Sequence, residues 1–193
     1  MSNVYFWADL HFGHKYVAGL RGYEDTQEHD NHLEYVLRET LTSRDSLWIL
    51  GDVAIDGAWK HGLEVLNRVR EDTGADLHLV TGNHDRCWPG KRNSHKSQRA
   101  YMRVFESTHE FARRKVSRGE PAIEVMLSHF PYGGDHSERP YLDQYRLRDE
   151  GKWLLHGHTH STERVNGRQI HVGVDAWDSP VSLKEVEDII YGV

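Results

Sequence analysis

The sequence predicts an α/β fold, and three observations carry that reading. Five short apolar runs each end in a polar cluster. Two stretches with helical apolar spacing separate the first three runs. The polar clusters hold an unusual share of the chain's 15 histidines. Strand, helix, strand, helix, strand implies a sheet with crossover helices, and ligands in such sheets sit beyond the carboxyl ends of the strands.

Residues 4–8 run into Asp9 and His11, and residues 47–50 into Gly51 and Asp52. Residues 77–80 run into Gly82, Asn83 and His84. Residues 123–127 lead to Ser128 and His129, and 153–155 to His156 and Gly157. Each run is short, and several are rich in β-branched or aromatic residues, which predicts buried strands. Residues 28–41 place Leu33, Val36, Leu37 and Leu41 on one helical face, and 58–70 do the same with Leu63, Leu66 and Val69. Asn166-Gly167 within 163–171 predicts a hairpin. Ser182 followed by Glu185 predicts a capping box on a last helix over 182–190.

With 193 residues and 37% hydrophobic content, one domain over 1–193 is expected. No apolar run approaches the ~20 residues of a bilayer span, and no signal peptide is visible. Removing a leader would also destroy Asp9, so a cytoplasmic protein without membrane contact is expected. The lone Cys87 excludes an intramolecular disulfide and a thiolate zinc cluster. As a nucleophile it lacks an obvious neighbouring base, since Arg86 and Trp88 flank it.

Asp9 and His11 are two residues apart, as are His158 and His160. In extended backbone such pairs point to the same side and can reach one cation. Asp52, Asn83 and His129 add a carboxylate, an amide oxygen and an imidazole. This nitrogen and oxygen donor set suits Mn, Fe, Zn, Co or Ni. Seven ligands are too many for one site that keeps a position open, but they suit two metals sharing a carboxylate. Two ions ~3.5–4 Å apart clamp the attacking and leaving oxygens of an in-line displacement.

In order, Asp9-x-His11, Gly51-Asp52, Gly82-Asn83-His84-Asp85, Ser128-His129 and Gly157-His158-x-His160 resemble the motif set of the calcineurin-like metallophosphoesterases. The opening Asp9-Leu10-His11-Phe12-Gly13-His14, and the later 172–177 with 180–183, are similar to a small uncapped subgroup of phages and bacteria. The resemblance implies a four-layer α/β/β/α sandwich with two divalent transition-metal ions, manganese foremost. One ion would take Asp9, His11, Asp52 and His160. The other would take Asp52, Asn83, His129 and His158, with Asp52 bridging and a hydroxide between the metals as nucleophile. His84 would be the catalytic residue beside the leaving oxygen or the transferring phosphoryl group, and Asp85 would orient His84 or its loop. His14 would touch substrate phosphate or order its loop. Arg86 is the other expected substrate contact, and His156 is expected to be structural.

Two features bear on substrate. The superfamily's protein phosphatases carry a phosphate-holding arginine after Gly-Asp, and 51–57 here contains none. Residues 86–103 carry six basic and no acidic residues, leaving 18 basic against 30 acidic residues elsewhere. That segment reads as a solvated basic helix face or as a cleft wall, with Trp88 and Tyr101 available to stack on a base. A net charge of −6 disfavours a long nucleic acid. The expected partner is a small phosphodiester, cyclic nucleotides included. A phosphomonoesterase or nuclease with the same centre, and a non-catalytic scaffold, are the alternatives. A His-x-His amidohydrolase barrel would need ~250 residues.

Overall fold

A computed structural model of the chain describes residues 3–116, 123–134 and 142–192. The first three apolar runs form β1 (Val4–Trp7), β2 (Ser46–Ile49) and β3 (Asp76–Val80), which pair in parallel. β4 (Ser107–His109) continues the sheet in parallel beyond β3. A second sheet holds β5 (Phe111–Lys115), β6 (Glu124–Ser128), β7 (Trp153–His156), β8 (Val165–Asn166) and β9 (Gln169–His171), in the order β5-β6-β7-β9-β8. Its inner strands β6, β7 and β9 are parallel, and its edges are antiparallel. The short β10 (Val181–Ser182) returns to the first sheet, antiparallel to β1.

The helices are α1 (Lys15–Leu20), α2 (Thr26–Thr40), α3 (Trp59–Thr73), α4 (Gln98–Tyr101) and α5 (Leu183–Tyr191). α2 starts where the Asp25 carboxylate accepts the Glu28 N–H at 2.8 Å. α3 stops at Gly74, whose φ of 71° suits the left-handed cap. α5 has the capping box foreseen from Ser182 and Glu185.

Strand alternation divides the core in two. Trp7, Leu47, Ile49, Leu77 and Leu79 pack with Leu33, Leu37, Leu63, Leu66 and Val69 of α2 and α3. Phe6, Trp48 and Val80 face the other way, onto Val125, Leu127, Leu155 and Ile170 of the second sheet. The first sheet is thus covered on both faces, which is why its strands read as continuous apolar runs. α5 buries Val186 in the inter-sheet core beside β1 and β10.

Several elements depart from the sequence expectation. α1 was not foreseen, and neither were the edge strands β4, β5 and β10. β5 reads Phe-Ala-Arg-Arg-Lys with alternate residues exposed, a charged edge rather than an apolar run. The hairpin turn falls one residue later than Asn166-Gly167 suggests, because Asn166 itself pairs with Gln169. The basic segment is no long helix: it contains turns, a 3-10 turn at Ser94–Lys96 and the four residues of α4. No helix among the described residues is long and apolar enough to cross a membrane.

Candidate metal centre

The parallel strands of both sheets deliver their carboxyl-end loops to one place. Cross-loop backbone bonds lock them together. The Asp9 N–H donates to Gly51 O at 3.1 Å, His11 N–H to Asp52 O at 3.0 Å, and Gly157 N–H to His129 O at 3.0 Å. The fit is tight: a Cβ at Gly51 would lie 2.4 Å from His129 Nδ1, and its φ is 88°. Only glycine meets both conditions.

Asp9, His11 and His160 bring their ligand atoms within 4.8 Å of one another, as do Asp9, Asp52 and His129. His11 Nε2 lies 3.2 Å from His160 Nε2 and 3.7 Å from Asp52 Oδ2. On the other side, His129 Nε2 lies 3.4 Å from Asp52 Oδ2 and 3.1 Å from Asn83 Oδ1. Asp52 Oδ2 therefore stands between the two groups. The His158 ring packs edge-on to His129 with centroids 5.1 Å apart and lines the same cavity.

These spacings fit bound cations. Ligands ~2.1 Å from one ion stand roughly 3–3.5 Å apart. The donor chemistry agrees. His129 Nδ1–H donates to Leu50 O at 2.9 Å, so a neutral ring turns a bare Nε2 toward the Asp52 and Asn83 oxygens. Three acceptors facing one another need positive charge between them. His160 is similar: its Nδ1–H donates to Asp175 Oδ2 at 2.8 Å, which turns Nε2 toward His11.

The electrostatics of the cluster without metal make the same demand. Burial disfavours charge on His129, yet the Asp52 carboxylate outweighs it and pushes the imidazole up to about 9. Burial brings His11 down to about 3, against the pull of Asp52 and Asp9. Burial also opposes charge on Asp9, but His171 and the neighbouring imidazoles hold it well below the usual carboxylate range.

Backbone strain concentrates here. Asp9 (φ 60°), His11 (50°), Asp52 (54°), His158 (71°) and His160 (51°) all occupy the left-handed region. The extended i, i+2 geometry expected from the sequence is thus replaced at both pairs by left-handed turns. Each costs on the order of ~1–2 kcal/mol for a non-glycine residue and persists because the cross-loop bonds fix it.

Three groups support the cluster, of which Asp85 was expected to orient His84 or its loop and Arg21 was not assigned from sequence. Asp85 does not reach His84. Its carboxylate accepts N–H bonds from Gly82 (2.7 Å), Val53 (3.0 Å) and Asp52 (3.1 Å), tying the two motif loops together. Burial and then the Asp52 charge push it up to about 7. Asp175 accepts from His160 and, at 2.9 Å from each of two nitrogens, from Arg21. Arg21 also donates to Asp9 O at 2.8 Å and contacts His29 Nε2 at 3.0 Å. The 172–177 stretch carried the signal for Asp175, while no local pattern marks Arg21.

A cavity of about 870 Å³ opens over the centre, lined by His14, Tyr16, Leu20, His84, Trp88 and Lys91 besides His11, Asp52, Asn83, His158 and His160. His84 lies beside the centre, its ring centroid 5.3 Å from that of His11. Its backbone N–H donates to Asp52 Oδ1 at 2.8 Å. His14 caps α1 through Nδ1, 3.5 Å from Val17 N, and its ring lines the cavity, so it both orders the loop and faces the site. Arg86 is exposed and does not line the cavity. Tyr101 is buried against Trp59 and Phe105, its hydroxyl accepting the Arg86 N–H at 3.0 Å, so it is not available to stack on a base. His156 is buried and donates to Gly157 O at 2.8 Å, a structural role. Cys87 is fully buried and burial pushes its thiol up, which removes it as a nucleophile.

Two parallel-centred sheets feeding an Asp/His/Asn cluster define a metal-dependent phosphoesterase, and the comparison with known families agrees. The chain belongs to the calcineurin-like phosphoesterase superfamily, whose domain model matches residues 4–173. It is 41% identical over 198 residues to the Gene 66 protein of Mycobacterium phage L5, covering 98% of this chain and 95% of the relative. The Gene 66 protein of Mycobacterium phage D29 is 42% identical over 195 residues, covering 98% and 96%. The fold also matches the crystal structure of AQ665, a protein of unknown function from Aquifex aeolicus, with a TM-score of 0.71 and 21% identity over 98% of this chain and 100% of that one.

Proposed function

We propose that the protein is a dinuclear-metal-dependent phosphodiesterase acting on small phosphodiesters, with cyclic nucleotides among the candidates. The observation that carries this reading is the pair of ligand groups meeting at Asp52 Oδ2, under a cavity that also holds His84. One ion would be held by Asp9, His11, Asp52 and His160, and the other by Asp52, Asn83, His129 and His158. Manganese is the first choice, because imidazole-rich sites favour transition metals. When bound, two such ions supply Lewis acidity and an activated water.

The chain's own residues do the rest. Asp175 and Arg21 fix the tautomer and orientation of His160. Asp85 holds the Asp52 loop against the Asn83 loop. The His84 ring faces the cavity without a hydrogen bond among the described residues, which leaves it able to protonate a leaving oxygen. Among the described residues the cavity is lined by one lysine and no arginine, which suits the single negative charge of a diester better than a dianionic monoester.

A single domain over 1–193, a four-layer α/β/β/α sandwich and a cytoplasmic location go with this reading. α2 and α3 supply one outer layer. The test is a hydrolysis assay on metal-stripped protein with each divalent cation added back, comparing an aryl phosphodiester, its monoester and single-stranded DNA. Mn²⁺-restored cleavage of the diester with the highest kcat/KM is expected. Faster monoester or DNA cleavage would replace the diesterase reading with a monoesterase or nuclease using the same centre. No cleavage of any of the three by metal-loaded protein would favour the scaffold.

A further inference from the structure

Among the described residues Lys91 is the one lysine or arginine on the cavity wall, and its placement is specific. Residues 88–91 read Trp-Pro-Gly-Lys. Proline and glycine at the two central positions favour a tight turn, and the Lys91 N–H closes it on Trp88 O at 2.9 Å. The turn folds flat over its own indole: a Cβ at Gly90 would sit 2.4 Å from the Trp88 ring. Trp88 also packs edge-on to Tyr145 at 4.7 Å between centroids. Lys91 is therefore carried into the cleft on a turn packed against the Trp88 indole.

Its ammonium group has two partners. It donates to His84 O at 2.9 Å and to the Asp56 carboxylate. Asp56 follows Asp52 on the first sheet's loop, and both Asp56 and Lys91 line the cavity beside His84. Lys91 is mostly covered, at 17% side-chain exposure, whereas Asp56 is 52% exposed. The cation is thus the more covered partner of the pair, and the counter-charge the more solvated one.

We propose that the Lys91–Asp56 pair is the charge selector of this cleft: Lys91 binds a non-bridging oxygen of the substrate phosphate, and Asp56 tempers that cation so that a monoanionic diester is accepted over a dianionic monoester. The proposal deepens the diesterase reading and rests on it for the substrate class. The alternative role for the pair is a plain cross-link between the Asp52 and His84 loops. The two roles differ in sign. As a cross-link, Lys91 and Asp56 act in the same direction when either is changed. As a selector, they act in opposite directions toward an anion.

The experiment is calorimetric titration of inorganic phosphate into Mn²⁺-loaded protein, which needs no turnover. Lys91→Met should weaken phosphate binding roughly tenfold or more, as expected for loss of a hydrogen bond to a charged group. Asp56→Asn removes only the charge, since its amide oxygen can still accept from Lys91. It should tighten phosphate binding about three- to tenfold and raise the monoester-to-diester ratio of kcat/KM. Adding salt should weaken phosphate binding less in Lys91→Met than in the parent. Weaker binding in both variants, or no change in Asp56→Asn, would assign the pair to cross-linking and overturn the proposal. Lys91→Gln, with circular dichroism and metal content checked, replaces Lys91→Met if that variant fails to fold. A parent protein that binds phosphate as expected but cleaves no ester would refute the diesterase reading and leave the phosphate result standing.

Discussion

His84→Ala separates chemistry from metal binding, because the structure divides this residue's contacts cleanly. Its backbone N–H to Asp52 Oδ1 and its carbonyl to Lys91 are both kept in the alanine variant. The ring is half-buried and makes edge contacts at 5.3 Å from His11 and 6.3 Å from His14 between centroids. Its removal therefore leaves the Asp52 loop anchored, and both metals should stay bound. What is lost is a proton donor for the departing alkoxide. General-acid catalysis contributes ~10²–10⁴-fold, or roughly 2.7–5.4 kcal/mol of barrier. With a methyl or nucleoside-like leaving group the variant should lose rate in that range. With p-nitrophenolate, which departs without a proton, the loss should be no more than about tenfold. The assay is kcat on the two diesters, with metal content measured by elemental analysis. Equal losses on both substrates with both metals present would refute the general-acid role and assign His84 to the transferring phosphoryl group. Loss of a metal would make His84 a ligand.

Other outcomes follow from the same geometry. Chelation should abolish hydrolysis, and Mn²⁺ should restore it better than Mg²⁺ in a metal add-back assay. Asp52→Ala should leave less than one ion per chain by elemental analysis, because Asp52 Oδ2 faces both ligand groups. Asp175→Asn should lower metal affinity about 10–100-fold in competition with a chelator, since it alters the hydrogen bond that orients His160. The metal-free protein should lose stability in acid, as measured by urea denaturation across pH. Burial lowers His156 from 6.5 to about 3, so between these values the unfolded chain takes up a proton that the folded one refuses. Stability is then full above about 6.5 and falls toward pH 3, and His156→Gln should make that limb shallower.

The strand runs, both long helices, the α5 capping box and the convergence of five loops were legible because they depend on local periodicity and local turn chemistry. Asp9, His11, Asp52, His129 and His160 could be named for the same reason: each follows an apolar run within a few residues, and parallel strands bring such ends together. The limits of that reading are equally physical. β4, β5 and β10 are edges, held by pairing with a neighbour rather than by an apolar pattern of their own. The left-handed backbone of Asp9, His11, Asp52, His158 and His160 carries no residue signature, because bonds from other loops impose it.

The supporting residues show the same division. Tyr101 was read as an aromatic available to a base, but packing against Trp59 and Phe105 buries it. Asp175 reaches Arg21 across 154 positions of sequence, and Asp85 reaches Asp52 across 33. Lys91 looked like one charge in a basic run until the Trp88 turn placed it on the cavity wall. The sequence by itself determined which chemical groups stand at the strand ends, because short-range backbone geometry puts them there. Only the tertiary structure decided which of those groups face one another, which backbone strain they bear and which distant side chains hold them, because those contacts exist only once the two sheets have packed together.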